Sequence, residues 1–192
     1  MKDFTPTKET ISLHGLGFIQ VVLGGNQRLH VWHPDLPRRN CYAHSAVHNH
    51  RFSFTSRVLK GVQVNQRCDL EVVKPETGSH ILISHNGPRS EKGGRLSFPV
   101  ADVNVYLRAV ERYGPGEEYS MPAMEYHHTP CEGVVVTIMR KLEEMTTLHA
   151  NSVCRRGIDF HYDFDRFQLS PEQLFAYVVD ALASDWAGVV TA

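Results

Sequence analysis

Val47-His48-Asn49-His50-Arg51-Phe52-Ser53-Phe54-Thr55-Ser56-Arg57-Val58-Leu59-Lys60-Gly61 reads as one β-strand that closes on a glycine turn. Alternate side chains of an extended backbone share a face, so His48, His50, Phe52, Phe54, Ser56 and Val58 point one way and Asn49, Arg51, Ser53, Thr55 and Arg57 the other. Two imidazoles and an apolar wall then look inward together. Neutral imidazole nitrogens presented in this way suit Fe, Zn, Ni or Cu. A purely structural role would leave two adjacent inward imidazoles desolvated without partners, which is costly and favours a metal between them. The third ligand is expected in Gly116-Glu117-Glu118-Tyr119-Ser120-Met121-Pro122-Ala123-Met124-Glu125-Tyr126-His127-His128.

Outward from that strand the chain reads as a succession of short β-elements. Ile11 to Leu23 and Arg28 to Trp32 are two strands around the hairpin signal Gly24-Gly25-Asn26-Gln27. His30 and His33 fall on opposite faces of the second and cannot both reach one metal. Arg38 to Ala46 is a polar connection. Val62-Gln63-Val64 and Cys68 to Val73 are short strands, and Val103 to Tyr113 has strand composition. Pro75 to Gly94, with Gly78, Gly87, Pro88, Gly93 and Gly94, reads as an exposed loop around a short Ile81-Leu82-Ile83 strand, which leaves His80 and His85 facing solvent. The β-branched run Val134 to Met139 is expected as a central strand.

Leu142 to Phe167 has no clear period, and its aromatics Phe160, Tyr162, Phe164 and Phe167 indicate a strand or wrap packed on the body. A helix follows. Ser170 is its N-cap, Pro171 its first residue, and Gln173 stands at the capping-box position; Leu174, Phe175, Val178, Val179 and Leu182 then form an apolar stripe ending near Ala183. The stripe covers a sheet face or forms a homodimer contact.

Composition bounds the function. The 192 residues, 42% hydrophobic and 21% charged, suffice for one domain spanning 1–192, with a barrel over about 11–142 and an extension carrying the helix over about 143–192. A formal net charge of −1 gives no overall drive toward nucleic acid or an anionic membrane. No stretch approaches the ~18 apolar residues needed to span a bilayer, and Met1-Lys2-Asp3-Phe4-Thr5-Pro6 shows no basic segment followed by an apolar run with a cleavage site, so a soluble cytoplasmic protein is expected. Cys41, Cys68, Cys131 and Cys154 are scattered, without a C-x-x-C pair, as free thiols would be.

The two His-bearing stretches resemble the paired motifs of the cupin superfamily, G-x5-H-x-H-x3,4-E-x6-G and G-x5-P-x-G-x2-H-x3-N. His48, His50 and Gly61 match the first, and Gly116, Pro122 and His127 the second. The departures are Tyr42 and Phe54 in the first motif and Met124 and Cys131 in the second, and the matched core runs from about Tyr42 to Arg140. The resemblance implies an all-β double-stranded β-helix, a jelly-roll-like barrel, with His48, His50 and His127 on one divalent metal. His128, adjacent on the strand, would face the other way. Phe54 occupies the position of the family carboxylate, which leaves a neutral three-His face.

Such a face is similar to that of the thiol dioxygenases, cupins that oxidise small thiols with Fe(II) and O2. By that likeness the protein is a mononuclear non-haem iron oxygenase of a small molecule, with Zn or Ni as alternative metals. Two hallmarks of those enzymes differ: the Tyr some seventeen residues beyond the third His is Glu144, and the thioether-forming Cys of the animal enzymes falls at Thr55. Tyr106, Tyr119 or Tyr126 could substitute near the cavity, and Arg108 or Arg112 could hold a substrate carboxylate. The competing functions are a non-catalytic metal- or ligand-binding cupin, and a metal-assisted isomerase or hydrolase with Glu125 or another carboxylate as base.

Overall fold

The computed structural model describes residues 5–183. Two antiparallel sheets dominate. In spatial order the first holds β1 (Ile11–His14), β2 (Phe18–Gly24), β3 (Gln27–Trp32), β10 (Val135–Glu144), β4 (Phe52–Lys60) and β8 (Glu118–Met121). The second holds β11 (Ala150–Arg155), β6 (His80–Arg89), β7 (Arg95–Tyr113), β5 (Gln63–Val73) and β9 (Tyr126–His128). The helices are the short α1 (Tyr42–Ser45) and α2 (Pro171–Ala183).

Local chemistry explains these elements. Gly25 and Asn26 both take positive φ (55° and 62°), the type I′ geometry that matches the twist of the β2–β3 hairpin. Ser170 Oγ accepts from the Gln173 N–H at 3.2 Å while Gln173 Oε1 accepts from the Ser170 N–H at 2.8 Å, a reciprocal capping box that starts α2. Leu174, Val178 and Ala181 bury this helix against Ile11, Leu13, Ile19, Val21, Leu29, Val31 and Val136. The alternate residues of the same strands, among them Phe18, Gln20, Arg28, His30 and Thr137, line a cavity instead. The β2–β3–β10 layer thus has an apolar face under the helix and a polar face over the cavity. β10 is central, between β3 and β4, with Val135, Val136, Thr137 and Met139 buried.

Several boundaries differ from the sequence reading. The first strand is two, broken at the Gly15–Gly17 turn, and Gln63 to Val73 is one continuous strand. Pro75 to Gly94 is loop only in part, because the expected Ile81-Leu82-Ile83 strand extends to the ten-residue β6, half of the span. Its glycines permit close approach: a Cβ on Gly78 would lie 2.7 Å from Val103 N, and one on Gly87 2.2 Å from Leu96 Cβ. Pro88 sits in a register break between His85 and Arg89, where no ladder N–H is required. Strand pairing continues past residue 142, since β11 joins β6, and Arg38 to Ala46 contains α1. Residues 1–4 and 184–192, part of the single domain read from the sequence, lie outside the described residues.

Gly61 ends β4 at φ +73°, and a Cβ there would meet the Val134 carbonyl oxygen at 2.3 Å. Gly116, at φ +88°, has open space around it. Gly61→Ala is expected to cost about 2–4 kcal/mol from left-handed strain plus a backbone clash, and Gly116→Ala only about 1 kcal/mol from the strain alone. Urea midpoints of the two variants measure the difference, and equal losses would contradict the packing at Gly61.

Candidate metal centre

His48 and His50 stand just ahead of β4, which begins at Phe52, rather than inside it. Their segment is held by neighbours on both sides. His48 and His127 exchange backbone hydrogen bonds (His48 N to His127 O 2.9 Å, His127 N to His48 O 2.8 Å), the Asn49 N–H donates to Asn151 O at 2.9 Å, and the Met124 N–H to His50 O at 2.7 Å. His48 thereby bridges β9 at His127 and β11 at Ser152. No single ladder runs along the segment, so it is not a regular strand, and Asn49 and Arg51, expected to face away, line the same cavity as His48 and His50.

The three rings converge. Centroids of His48 and His127 lie 4.6 Å apart, of His48 and His50 4.8 Å, and of His50 and His127 5.3 Å. One nitrogen from each falls within 4.8 Å of the others. Imidazole–metal bonds of about 2.1 Å allow two ligand atoms at most about 4.2 Å apart, so an ion would draw the rings slightly inward. His128 is outside the group and packs edge-on against the Tyr42 ring at 6.2 Å.

Two observations fit a metal to this site. His48 Nδ1 lies 2.9 Å from the Ala46 carbonyl oxygen. As N–H donor there it leaves Nε2 as the free lone pair, the backbone anchoring typical of metal-bound histidine. Both ring nitrogens of His127 are buried without a hydrogen-bond partner, a costly state that coordination would relieve. Burial, with the Ala46 bond working against it, pushes the His48 imidazole down to about 4. Burial and then the neighbouring His48 hold His50 and His127 well below the usual imidazole range. At neutral pH all three rings are uncharged and ready to donate a lone pair.

These rings open onto a cavity of about 370 Å³. Phe54 lines it with its ring 5.5 Å from that of His50, so an aromatic face stands where a carboxylate would otherwise approach. Of the three candidate catalytic residues only Tyr119 lines the cavity; it is buried, and burial raises its phenol above the ordinary range, which keeps it protonated. Tyr106 is 52% exposed with its hydroxyl on Glu71. Arg108 is exposed and paired with Asp69 and Glu125. Arg112 is exposed as well, and Tyr126 is outside the cavity lining.

Sequence reasoning missed other cavity residues. His85 lies on β6, with Nδ1 2.5 Å from Ser97 Oγ and Nε2 2.8 Å from Ser152 Oγ, and so steadies the β11 residue that bridges to His48. His30, pushed down to about 3 by burial and then by Arg28, has a buried Nε2 without a partner. Strand alternation would have placed Arg28 and His30 together on the face opposite Leu29 and Val31. No such signal marks His85 beneath glycine-rich composition.

No protein-family model matches the chain, and no curated protein matches it significantly. The donor set therefore stands on its own chemistry: three neutral nitrogens suit a borderline divalent ion such as Fe(II), Zn(II) or Ni(II), and leave its full charge on the cavity side.

Replacing His48, His50 or His127 by Ala is expected to weaken metal binding by more than about 100-fold, since losing a ligand exceeds the loss seen for outer-shell partners. His128→Ala keeps wild-type occupancy. Element-resolved analysis of the purified variants decides it, and equal loss at His127 and His128 would overturn the assignment.

The pH dependence has a definite sign. A buried histidine with a depressed folded pKa contributes no penalty above its unfolded value near 6.5, and costs up to about 1.4 kcal/mol per pH unit as pH falls below it. For His48 that window runs down to about 4, and for His30 to about 3. Metal-free protein is expected to lose stability steadily from pH 6.5 downward. Metal affinity of the folded protein, by contrast, stays nearly flat between pH 8 and 6. Denaturation midpoints and metal titrations across that range test both, and an affinity that collapses near pH 6.5 would show ordinary, solvated imidazoles.

Proposed function

We propose that the chain is a metal-dependent cupin, a double-stranded β-helix in which His48, His50 and His127 hold one Fe(II) for oxygenation of a small acidic molecule. The observation that carries this reading is the convergence of three buried, uncharged imidazoles, one with both nitrogens unpartnered, on a cavity large enough for a small substrate. His48 lying between β9 and β11 supports the β-helix reading, because it links the two edge strands of the five-stranded sheet. Iron, when bound, supplies the electron transfer to O2 that no protein side chain here provides.

The chain's own residues have separable tasks. Phe52, Phe54 and Tyr119 wall the site with aromatic surface and exclude water. Absence of a carboxylate among the three ligands leaves a centre of full +2 charge, which selects an anionic substrate group. Tyr119, kept protonated by burial, is a cavity phenol whose hydroxyl is engaged by Ser56 and Asn65. The Tyr position of thiol dioxygenases is Glu144, whose carboxylate accepts from Arg51 Nε at 2.7 Å and pairs with Lys141. A substrate other than cysteine is therefore expected.

The competing readings fare less well. A sealed binding module would close the metal face with aromatics, whereas the cavity reaches the rings. An isomerase or hydrolase needs a free carboxylate near the substrate; Glu125 is paired with Arg108 and Arg67 outside the cavity lining, and Glu144 is held by two cations. Four free cysteines fit a reducing, cytoplasmic compartment.

Protein loaded with iron is expected to consume O2 when given a small aminothiol or mercapto acid, one O2 entering each sulfinate formed. Zn-loaded protein consumes none, because Zn(II) has no redox chemistry. O2 uptake over a panel of thiols, diketones and aromatic diols tests the oxygenase reading. Full iron occupancy with no uptake from any of them would leave a metal-binding module.

A further inference from the structure

Beyond the His centre, the cavity is strongly basic. Arg28 on β3, Arg89 at the end of β6 and Arg166 ahead of α2 all line it. None has a carboxylate within ion-pair distance among the described residues, and the single carboxylate of the described lining, Glu144, is held by Arg51 and Lys141. Neutral acceptors orient the three guanidiniums. Arg166 donates from Nε to Leu13 O (3.0 Å) and from Nη2 to Ser12 Oγ (3.0 Å), Arg89 from Nη1 to Gly93 O (2.6 Å), and Arg28 from Nη1 to Gln20 Oε1 (3.5 Å). Their other N–H groups have no acceptor in the protein among the described residues.

These charges act on one another, and Arg95, which lines the same cavity, acts on Arg89. Burial, then Arg89 and Arg28, push Arg166 down to about 10, and burial, then Arg89, lower Arg28, with Glu144 offsetting part of that. Holding like charges together without counter-charge costs stability, so the arrangement calls for an anion. It also lies close to the metal site: the Arg28 guanidinium stands 5.8 Å from the Phe52 ring centre, and that ring is 5.1 Å from the His50 ring.

We infer that the cavity binds a small organic acid bearing a doubly charged tetrahedral oxyanion, a phosphate monoester or phosphonate, with the oxyanion on Arg28, Arg89 and Arg166 and the remainder reaching along Phe52 toward the His centre. A carboxylate has one charge and two oxygens, which one guanidinium satisfies in a fork; three guanidiniums call for three acceptor oxygens and about two charges. The reach toward a metal rests on the function proposed above. The oxyanion site itself does not.

Calorimetry and thermal melting of metal-free protein with inorganic phosphate, methylphosphonate and acetate at pH 7.5 separate the two. Phosphate and methylphosphonate are expected to bind saturably, at least about tenfold more tightly than acetate, and to raise the melting temperature. Arg28→Gln and Arg89→Gln should each lower phosphate affinity about tenfold or more, with wild-type metal occupancy. Without phosphate both variants should melt at or above the wild-type temperature, because a like-charge neighbour is gone. Phosphate binding no tighter than acetate, or unchanged in both variants, would overturn the inference. With divalent metal added, phosphonoacetate should bind more tightly than to metal-free protein. Equal affinity would overturn the reach toward the metal and leave the oxyanion site standing, whereas phosphate binding by a protein that takes up no metal would sink only the metal-based function.

Discussion

The two backbone hydrogen bonds exchanged by His48 and His127, 2.9 and 2.8 Å long, are the contact on which the site depends. They bring together histidines from distant parts of the chain with their rings 4.6 Å apart. His50 follows because the extended backbone returns every second side chain to the same face. A slip of one residue in this pairing would put His128 into the cavity and turn His127 away. Register here is chemistry as much as architecture.

Desolvation then defines what the cluster can be. Three imidazoles buried against one another disfavour the second proton that would charge them, and burial drives all three downward in pKa. Metal-free protein carries that cost as unpartnered nitrogens on His127. An ion would return it, so occupancy and stability are coupled. Phe54 sets an aromatic ring 5.5 Å from that of His50, beside the same cluster.

The strands around the cavity serve two solvents at once. Leu29, Val31 and Val136 face α2 in the apolar core. Arg28, His30 and Thr137, one residue away, face the cavity. The helix therefore does more than cap the molecule, since it supplies the burial that lets these strands carry basic and imidazole groups on their other side. The gain from the apolar face offsets the polar groups that function demands.

Local chemistry was legible in the chain itself. The H-x-H spacing, the glycine that turns after β4, the Gly25–Asn26 hairpin, the buried β-branched strand near Val134 and the capping box at Ser170 each depend on residues a few positions apart, where backbone periodicity and turn geometry act directly. The all-β class and the closing helix followed from these. Composition misled where glycines served close packing: most of β6 read as a loop because Gly78 and Gly87 mark approach to Val103 and Leu96 rather than flexibility. Only the tertiary structure put Tyr106 and Arg108 on the outside and Tyr119 within, set His85 beside Ser152, and gathered Arg28, Arg89 and Arg166 from β3, β6 and the turn ahead of α2. Alternation along a strand tells which residues share a face, but what stands opposite that face is fixed by long-range pairing, which no local pattern encodes.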